Sequence, residues 1–121
     1  MPARNIAVVD DEALVGSATA SLLRSYGYHA MTFDCAHDFL ARADRSFDCL
    51  VSDVQMPAMS GLDLYRQLRA EGASVPVVLM TAYPTASVRS FVAESDVIAL
   101  LEKPLVSEDL IAAIERALDA K

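Results

Sequence analysis

Four stretches of this chain carry an apolar run into a polar group that could do chemistry. Leu50-Val51-Ser52-Asp53 leaves a carboxylate at the end of a run suited to a sheet interior. Asp10-Asp11-Glu12 follows Ile6-Ala7-Val8-Val9, Thr81 follows Val75 to Met80, and Lys103-Pro104 comes just after Val97 to Leu101. In an open α/β sheet the carboxyl ends of the strands border a crevice, and ligands bind there. If the first and third runs are neighbouring strands, Asp10, Asp11 and Asp53 share that crevice. Three carboxylates in one cleft repel each other, and a hard divalent cation removes the conflict. Mg²⁺ suits such a site because it takes one or two carboxylates, keeps several waters and commonly accepts a phosphate oxygen. A Thr81 hydroxyl could donate to a phosphoryl oxygen. A Lys103 ammonium could pair with a carboxylate at rest and with a phosphoryl group later. Taken alone, Asp10-Asp11 reads equally well as a solvated loop, and Thr81 as an ordinary strand-end hydroxyl. Lys103-Pro104 could hold a cis peptide that aims the lysine inward, although only about one X–Pro bond in twenty is cis in folded proteins.

The elements that must position these groups are legible in the hydrophobic pattern. Ile6 to Val9 reads as a central strand. Ala13 to Tyr26 reads as a helix with Leu14, Ala18 and Leu22 at helical spacing, Val15 and Leu23 beside them, and Gly27 as its stop. Tyr28 to Phe33 is a second strand, and Asp34 is placed to cap a short helix holding Phe39 and Leu40. Phe47 to Asp53 is the third strand. Ser60-Gly61-Leu62-Asp63 has the form of a capping box and opens a helix through Leu64, Leu68 and Ala70 that Glu71-Gly72 ends. Val75 to Met80 is the fourth strand, Pro84-Thr85 opens a helix carrying Val88, Phe91 and Val92, and Val97 to Leu101 is the fifth strand. Ser107-Glu108-Asp109 caps and charges a last helix with Leu110, Ile114, Ala117 and Leu118 on one face. Five strands alternating with five helices predict an α/β fold, a doubly wound parallel sheet with right-handed crossovers. Periodicity leaves the strand order open; the flavodoxin-like order is a common solution.

The whole chain, 121 residues, fits one compact domain over residues 1–121. A formal charge of −7 argues against a direct grip on nucleic acid, which needs a basic surface. Cys35 and Cys49 have no metal-ligand spacing and read as reduced core or surface residues. After Met1-Pro2-Ala3-Arg4-Asn5, the run Ile6 to Val9 is too short for a signal segment or a membrane span, so a soluble cytoplasmic protein is the expectation.

These residues carry a resemblance. Val8-Val9-Asp10-Asp11-Glu12, Ser52-Asp53-Val54-Gln55-Met56-Pro57-Ala58-Met59-Ser60-Gly61, Met80-Thr81-Ala82 and Glu102-Lys103-Pro104 together resemble the receiver domain of a two-component response regulator, over essentially the whole length. The Met-Pro-x-Met-Ser-Gly and Glu-Lys-Pro wording is most similar to the FixJ-like subgroup. The resemblance implies a five-stranded (βα)5 receiver fold with the flavodoxin-like order. It implies that Asp53 is the phosphoacceptor, attacking a phosphohistidine on a sensor histidine kinase or phosphotransfer protein. Asp11 and Asp53, with the backbone carbonyl of Gln55, match direct Mg²⁺ ligands, and Asp10 matches the carboxylate that reaches the metal through water. Thr81 and Lys103 match the pair that holds the phosphoryl oxygens. Phosphoryl transfer rewards this kind of positioning and charge neutralisation. The acyl phosphate would hydrolyse in time, so the module resets itself without being an enzyme of metabolism. Its partner-binding or homodimer surface would be the fourth helix, fifth strand and fifth helix, with no membrane contact.

Two positions depart from the family pattern. Leu100 stands where a Phe or Tyr usually precedes the lysine by three residues, so no ring can swing inward there. Glu94-Ser95-Asp96 replaces a small Ala-Gly-type turn before the fifth strand. Gln55 and Tyr83, two residues after Asp53 and Thr81, border the path of an attacking water and are expected to tune hydrolysis. Two other classes remain for comparison. A Mg²⁺-dependent phosphohydrolase of the haloacid dehalogenase type wants Asp-x-Asp after its first strand and a cap domain, whereas this chain has Asp10-Asp11-Glu12. A receiver-like module that only binds a partner would have no need of Asp11, Asp53, Thr81 and Lys103 together.

Overall fold

The computed structural model describes residues 3–42 and 44–120. The first two residues of the expected lead-in, Met1-Pro2, and the final Lys121 lie outside them. Five strands and five helices alternate: β1 (Asn5–Val9), α1 (Ala13–Ser25), β2 (His29–Phe33), α2 (Ala36–Leu40), β3 (Cys49–Asp53), α3 (Gly61–Ala70), β4 (Val77–Thr81), α4 (Ala86–Ala93), β5 (Ala99–Glu102) and α5 (Ser107–Asp119). All strand pairs are parallel, in the order β2-β1-β3-β4-β5. This is the flavodoxin-like order that the alternation left open.

Strand chemistry explains the order. Every residue of β3 and β4 is buried, as is β1 from Ile6 onward, which fits central strands covered on both faces. β2 and β5 are largely exposed or half-buried and form the edges. Alternation along the central strands supplies two cores. Ala7, Val9, Leu50, Val77 and Leu79 face α2, α3 and α4 through Phe39, Leu64, Leu68 and Val88. Ile6, Val8, Val51, Val78 and Met80 face α1 and α5 through Leu23, Leu110 and Ile114.

Three local expectations need correction. In α1 the buried residues are Gly16, Thr19, Ala20 and Leu23, while Leu14 is 88% exposed. Leu14 and Ala18 are therefore turned to a surface groove with Pro104 and Leu105, while Leu22 lines the groove and also packs, half-buried, against the core. Cys35, not Asp34, is the N-cap of α2, and its side chain makes no capping bond. Ser107 is the first residue of α5 behind Val106, so it caps nothing, although Glu108 and Asp109 do sit in the first turn. Of the capping box expected on α3, the N-cap half is seen: Ser60 accepts the Asp63 amide at 3.1 Å, while the Asp63 carboxylate pairs with Arg66. Thr85 caps α4 in the same way through the Val88 amide.

Candidate functional site

The sheet order places β1 beside β3, and the connections from these two strands leave toward opposite faces. That switch point opens the crevice at their carboxyl ends. Register brings the chemistry to one edge. Val9 lies opposite Ser52, Asp53 opposite Met80, and Thr81 opposite Glu102, so Asp10, Asp53, Thr81 and Lys103 end up neighbours.

Lys103 is the hub. Its ammonium bonds Asp10 Oδ2 at 3.0 Å and Asp53 Oδ2 at 3.3 Å, with Glu12 Oε1 further off at 3.9 Å. The Asp10 side chain is 0% exposed, that of Asp53 7% and that of Lys103 12%. The Lys103-Pro104 peptide is cis. The second oxygen of Asp10 accepts the Glu12 amide at 2.9 Å, which orients the carboxylate across the turn. Burial pushes the Asp53 carboxyl above the ordinary carboxylate range; Lys103 opposes this, while Asp10 and Asp11 add to it. Burial also works against the Lys103 ammonium, but its bonds to Asp10 and Asp53 outweigh that and raise its pKa.

Asp11 is exposed at the mouth of the cleft. Asp10, Asp11 and Asp53 each bring a carboxylate oxygen to within 4.8 Å of the others. The donor set is all hard oxygen, and three negative charges face one ammonium. Such a set suits Mg²⁺ and not a soft metal.

Thr81 is fully buried at the end of β4. Its hydroxyl donates to Gln55 Oε1 at 2.6 Å and accepts the Tyr83 amide at 3.0 Å. The Gln55 side-chain bond was not foreseen, because nothing in residue type or spacing says which way an exposed glutamine points. Leu100 lies opposite Leu79 and packs, half-buried, against the core under α3 and α4. Tyr83 is 70% exposed.

A glycine also shapes the site. A Cβ on Gly61 would sit 2.2 Å from the Asp53 carbonyl oxygen and 3.2 Å from Ser52 Oγ. The Gly61 amide donates to the Val54 carbonyl at 2.9 Å. The start of α3 thus rests directly on the backbone of Asp53, a close approach that only glycine permits. The glycine was visible in the Ser60-Gly61 pair, but its reason was not. Between them, Ala58 takes a φ of 68°, a left-handed conformation that is rare for alanine.

Comparison with known proteins agrees with this geometry. The family model described as the response regulator receiver domain matches residues 6–115. The transcriptional regulatory protein FixJ of Bradyrhizobium diazoefficiens is 34% identical over 115 residues, covering 94% of this chain and 56% of that protein. The response regulator protein TodT of Pseudomonas putida is 35% identical over 114 residues, covering 93% and 50% respectively. The chain therefore spans about half the length of these curated relatives. A crystal structure of FixJ-N superposes with a TM-score of 0.89 at 30% identity, over 100% of this chain and 98% of that one. Sequence identity and superposition agree on a likeness to FixJ, and with the family match they show that the chain belongs to the response regulator receiver domains, the signalling modules of two-component systems.

Proposed function

We propose that residues 1–121 act as one receiver domain that takes a phosphoryl group from a phosphohistidine of a sensor histidine kinase or phosphotransfer protein onto Asp53. One observation carries this reading: the half-buried Lys103 ammonium is held between the buried Asp10 and Asp53 at the sheet edge where Thr81 also ends. An Asp53 carboxylate oxygen attacks the phosphorus, an O–P bond forms, and the P–N bond breaks with its electron pair leaving on the imidazole. Lys103 follows the growing charge on one phosphoryl oxygen, and the Thr81 hydroxyl donates to another. Asp11, Asp53 and the Gln55 backbone carbonyl would hold Mg²⁺, with Asp10 reaching it through water. When bound, the cation neutralises charge on the phosphoryl oxygens. The same site admits water slowly, so the domain catalyses its own phosphorylation and its own slow dephosphorylation.

The apolar groove of Leu14, Ala18, Leu22, Pro104 and Leu105 runs up to Glu12 and Lys103. It offers the phosphodonor a footing beside Asp53, which supports a protein partner over a small-molecule substrate. The output surface is α4, β5 and α5, serving partner binding or a phosphorylation-dependent homodimer. A charge of −7 favours a domain that does not itself contact nucleic acid. No helix among the described residues is long and apolar enough to cross a membrane, which fits a cytoplasmic module without a membrane role.

Incubation with Mg²⁺ and acetyl phosphate, followed by intact-mass measurement, tests the reading. Wild type should gain one phosphoryl group and Asp53→Asn none, with both folded by circular dichroism. Rapid turnover without a stable adduct would favour a phosphohydrolase. Labelling of the Asn variant at the wild-type rate would remove Asp53 from the role.

A further inference from the structure

We propose that the Gln55 side chain is a resting-state clamp on Thr81, and that it sets how readily a phosphoryl group on Asp53 throws the switch. The inference rests on the reading of Asp53 as phosphoacceptor and deepens it. A threonine hydroxyl owns a single proton. Here that proton is given to Gln55 Oε1 at 2.6 Å. The hydroxyl cannot donate to a phosphoryl oxygen until this bond breaks, so Gln55 and the phosphoryl group compete for one donor. The same oxygen accepts the Tyr83 amide at 3.0 Å. Withdrawing Thr81 toward Asp53 therefore gives up two bonds together, one to the loop after β3 and one to the loop before α4.

Position makes the competition effective. Thr81 is fully buried, so no bulk water stands ready to replace a lost partner on its hydroxyl. Leu100, on the neighbouring strand, has no ring to report or lock the position of Thr81. The bias on the hydroxyl thus falls to Gln55. A neutral hydrogen bond of this kind biases a two-state equilibrium by roughly two- to tenfold. Gln55 is a positioning residue in this scheme: it acts on the phosphoryl group through Thr81.

The test is a double-mutant cycle read by binding of beryllofluoride, a phosphoryl mimic, at saturating Mg²⁺. Gln55→Met keeps the length of the side chain and removes the acceptor. It should tighten beryllofluoride binding by roughly two- to tenfold, because the mimic selects the released Thr81. In a Thr81→Ala background the same substitution should change the affinity by less than about 1.5-fold, since the coupling partner is gone. In the mimic-free protein Gln55→Met should also shift the Tyr83 amide resonance, whereas Gln55→Glu, which keeps an acceptor, should hold it near the wild-type position. An equal effect of Gln55→Met in both backgrounds would overturn the clamp, as would unchanged or weaker binding in the Thr81 protein. Failure of the wild type to bind the mimic at all would overturn the phosphoacceptor reading and the clamp with it.

Discussion

Asp53 sits where two demands conflict. Burial and two neighbouring carboxylates disfavour its charge, while Lys103 favours it, and the balance leaves its pKa raised. The sign of the consequence follows from linkage. The unfolded carboxyl titrates near about 3.9, and the folded one binds its proton more tightly. Between those two values the native state holds more protons, so this group lowers stability as pH rises, and the loss levels off above the folded pKa. Lys103 has the same sign of slope in an alkaline window, but at neutral pH its contribution is favourable: its raised pKa adds stability that is lost only as pH climbs through the folded value. Asp53→Asn removes the conflict and leaves Lys103 its 3.0 Å bond to Asp10. Without divalent cation, the urea midpoint of Asp53→Asn at neutral pH should exceed that of wild type, and the gap should close as pH falls through the raised folded pKa toward about 4. Mg²⁺ should narrow the gap by stabilising the wild type. A variant less stable than wild type at neutral pH would mean that the Lys103 pairing outweighs burial. Asp11→Ala should weaken Mg²⁺ affinity about tenfold or more by removing an oxygen ligand at the cleft mouth, read by isothermal titration. Unchanged affinity would take Asp11 out of the metal site.

At the scale of elements, the start of α3 and the end of β3 form one unit. Gly61→Ala gains helix propensity of up to about 1 kcal/mol, yet its Cβ would press on the Asp53 carbonyl at 2.2 Å. Backbone against backbone leaves no flexible side chain to yield, so overpacking should win, with a net loss of about 1–3 kcal/mol in chemical denaturation. Labelling by acetyl phosphate should slow as well, because Asp53 moves with its carbonyl. Gly72→Ala is the control: it strains a positive φ of 82° far from the site and should cost stability without slowing labelling. A Gly61→Ala protein with normal stability and labelling would show that α3 can slide at no cost. The legibility of the elements divides along physical lines. Strand ends, the cap at Ser60 and the helix start at Pro84-Thr85 were readable, because each follows from a local rule, although the same capping rule misplaced Asp34 and Ser107. The face of α1 was not. Leu14, Ala18 and Leu22 have the right period, but Gly16, Thr19, Ala20 and Leu23 form a second stripe whose small residues let the helix lie close to β1; a Gly16 Cβ would already stand 3.5 Å from that of Asp10. Periodicity finds stripes and cannot tell which of two will face the sheet. That Asp10, Asp11, Asp53, Thr81 and Lys103 gather at one sheet edge was legible because they follow or end strands. The Gln55–Thr81 bond was not, because it depends on a rotamer.

Across the whole molecule, the two ends of α4 are fastened differently, and that asymmetry should decide where a signal from the proposed phosphoacceptor Asp53 would travel. At its far end, the Tyr65 hydroxyl donates to the Asp96 carboxylate and accepts the Asp96 amide at 3.3 Å. Arg69 bonds both Asp96 oxygens, at 3.1 to 3.3 Å, and also the Ala73 carbonyl. The Tyr65 hydroxyl, with Arg69 after it, holds the Asp96 carboxyl below the ordinary range despite some burial. Phe91 packs edge-on against Tyr65, and Arg66 lies over Phe91 at 4.7 Å. These contacts strap the exit of α4 to α3. At the near end, Tyr83 is exposed and its amide rests on the Thr81 hydroxyl, the group a phosphoryl oxygen would draw away. Leu100 carries no ring that could swing into the space Thr81 leaves. Motion should therefore enter the loop 82–85 and the first turn of α4, with Tyr83 the aromatic side chain placed to follow Thr81. Amide hydrogen exchange with and without beryllofluoride should show its largest changes at residues 82–88, smaller ones through β5, and little at 94–98. Tyr65→Phe should loosen the strap at a cost of about 1 kcal/mol, and the changes should then spread into 94–98. Silence across 82–101, with changes confined to the loop after Asp53, would mean that phosphorylation does not act through Thr81 and α4. Equal changes at 94–98 in wild type and Tyr65→Phe would mean that the strap does not limit the motion.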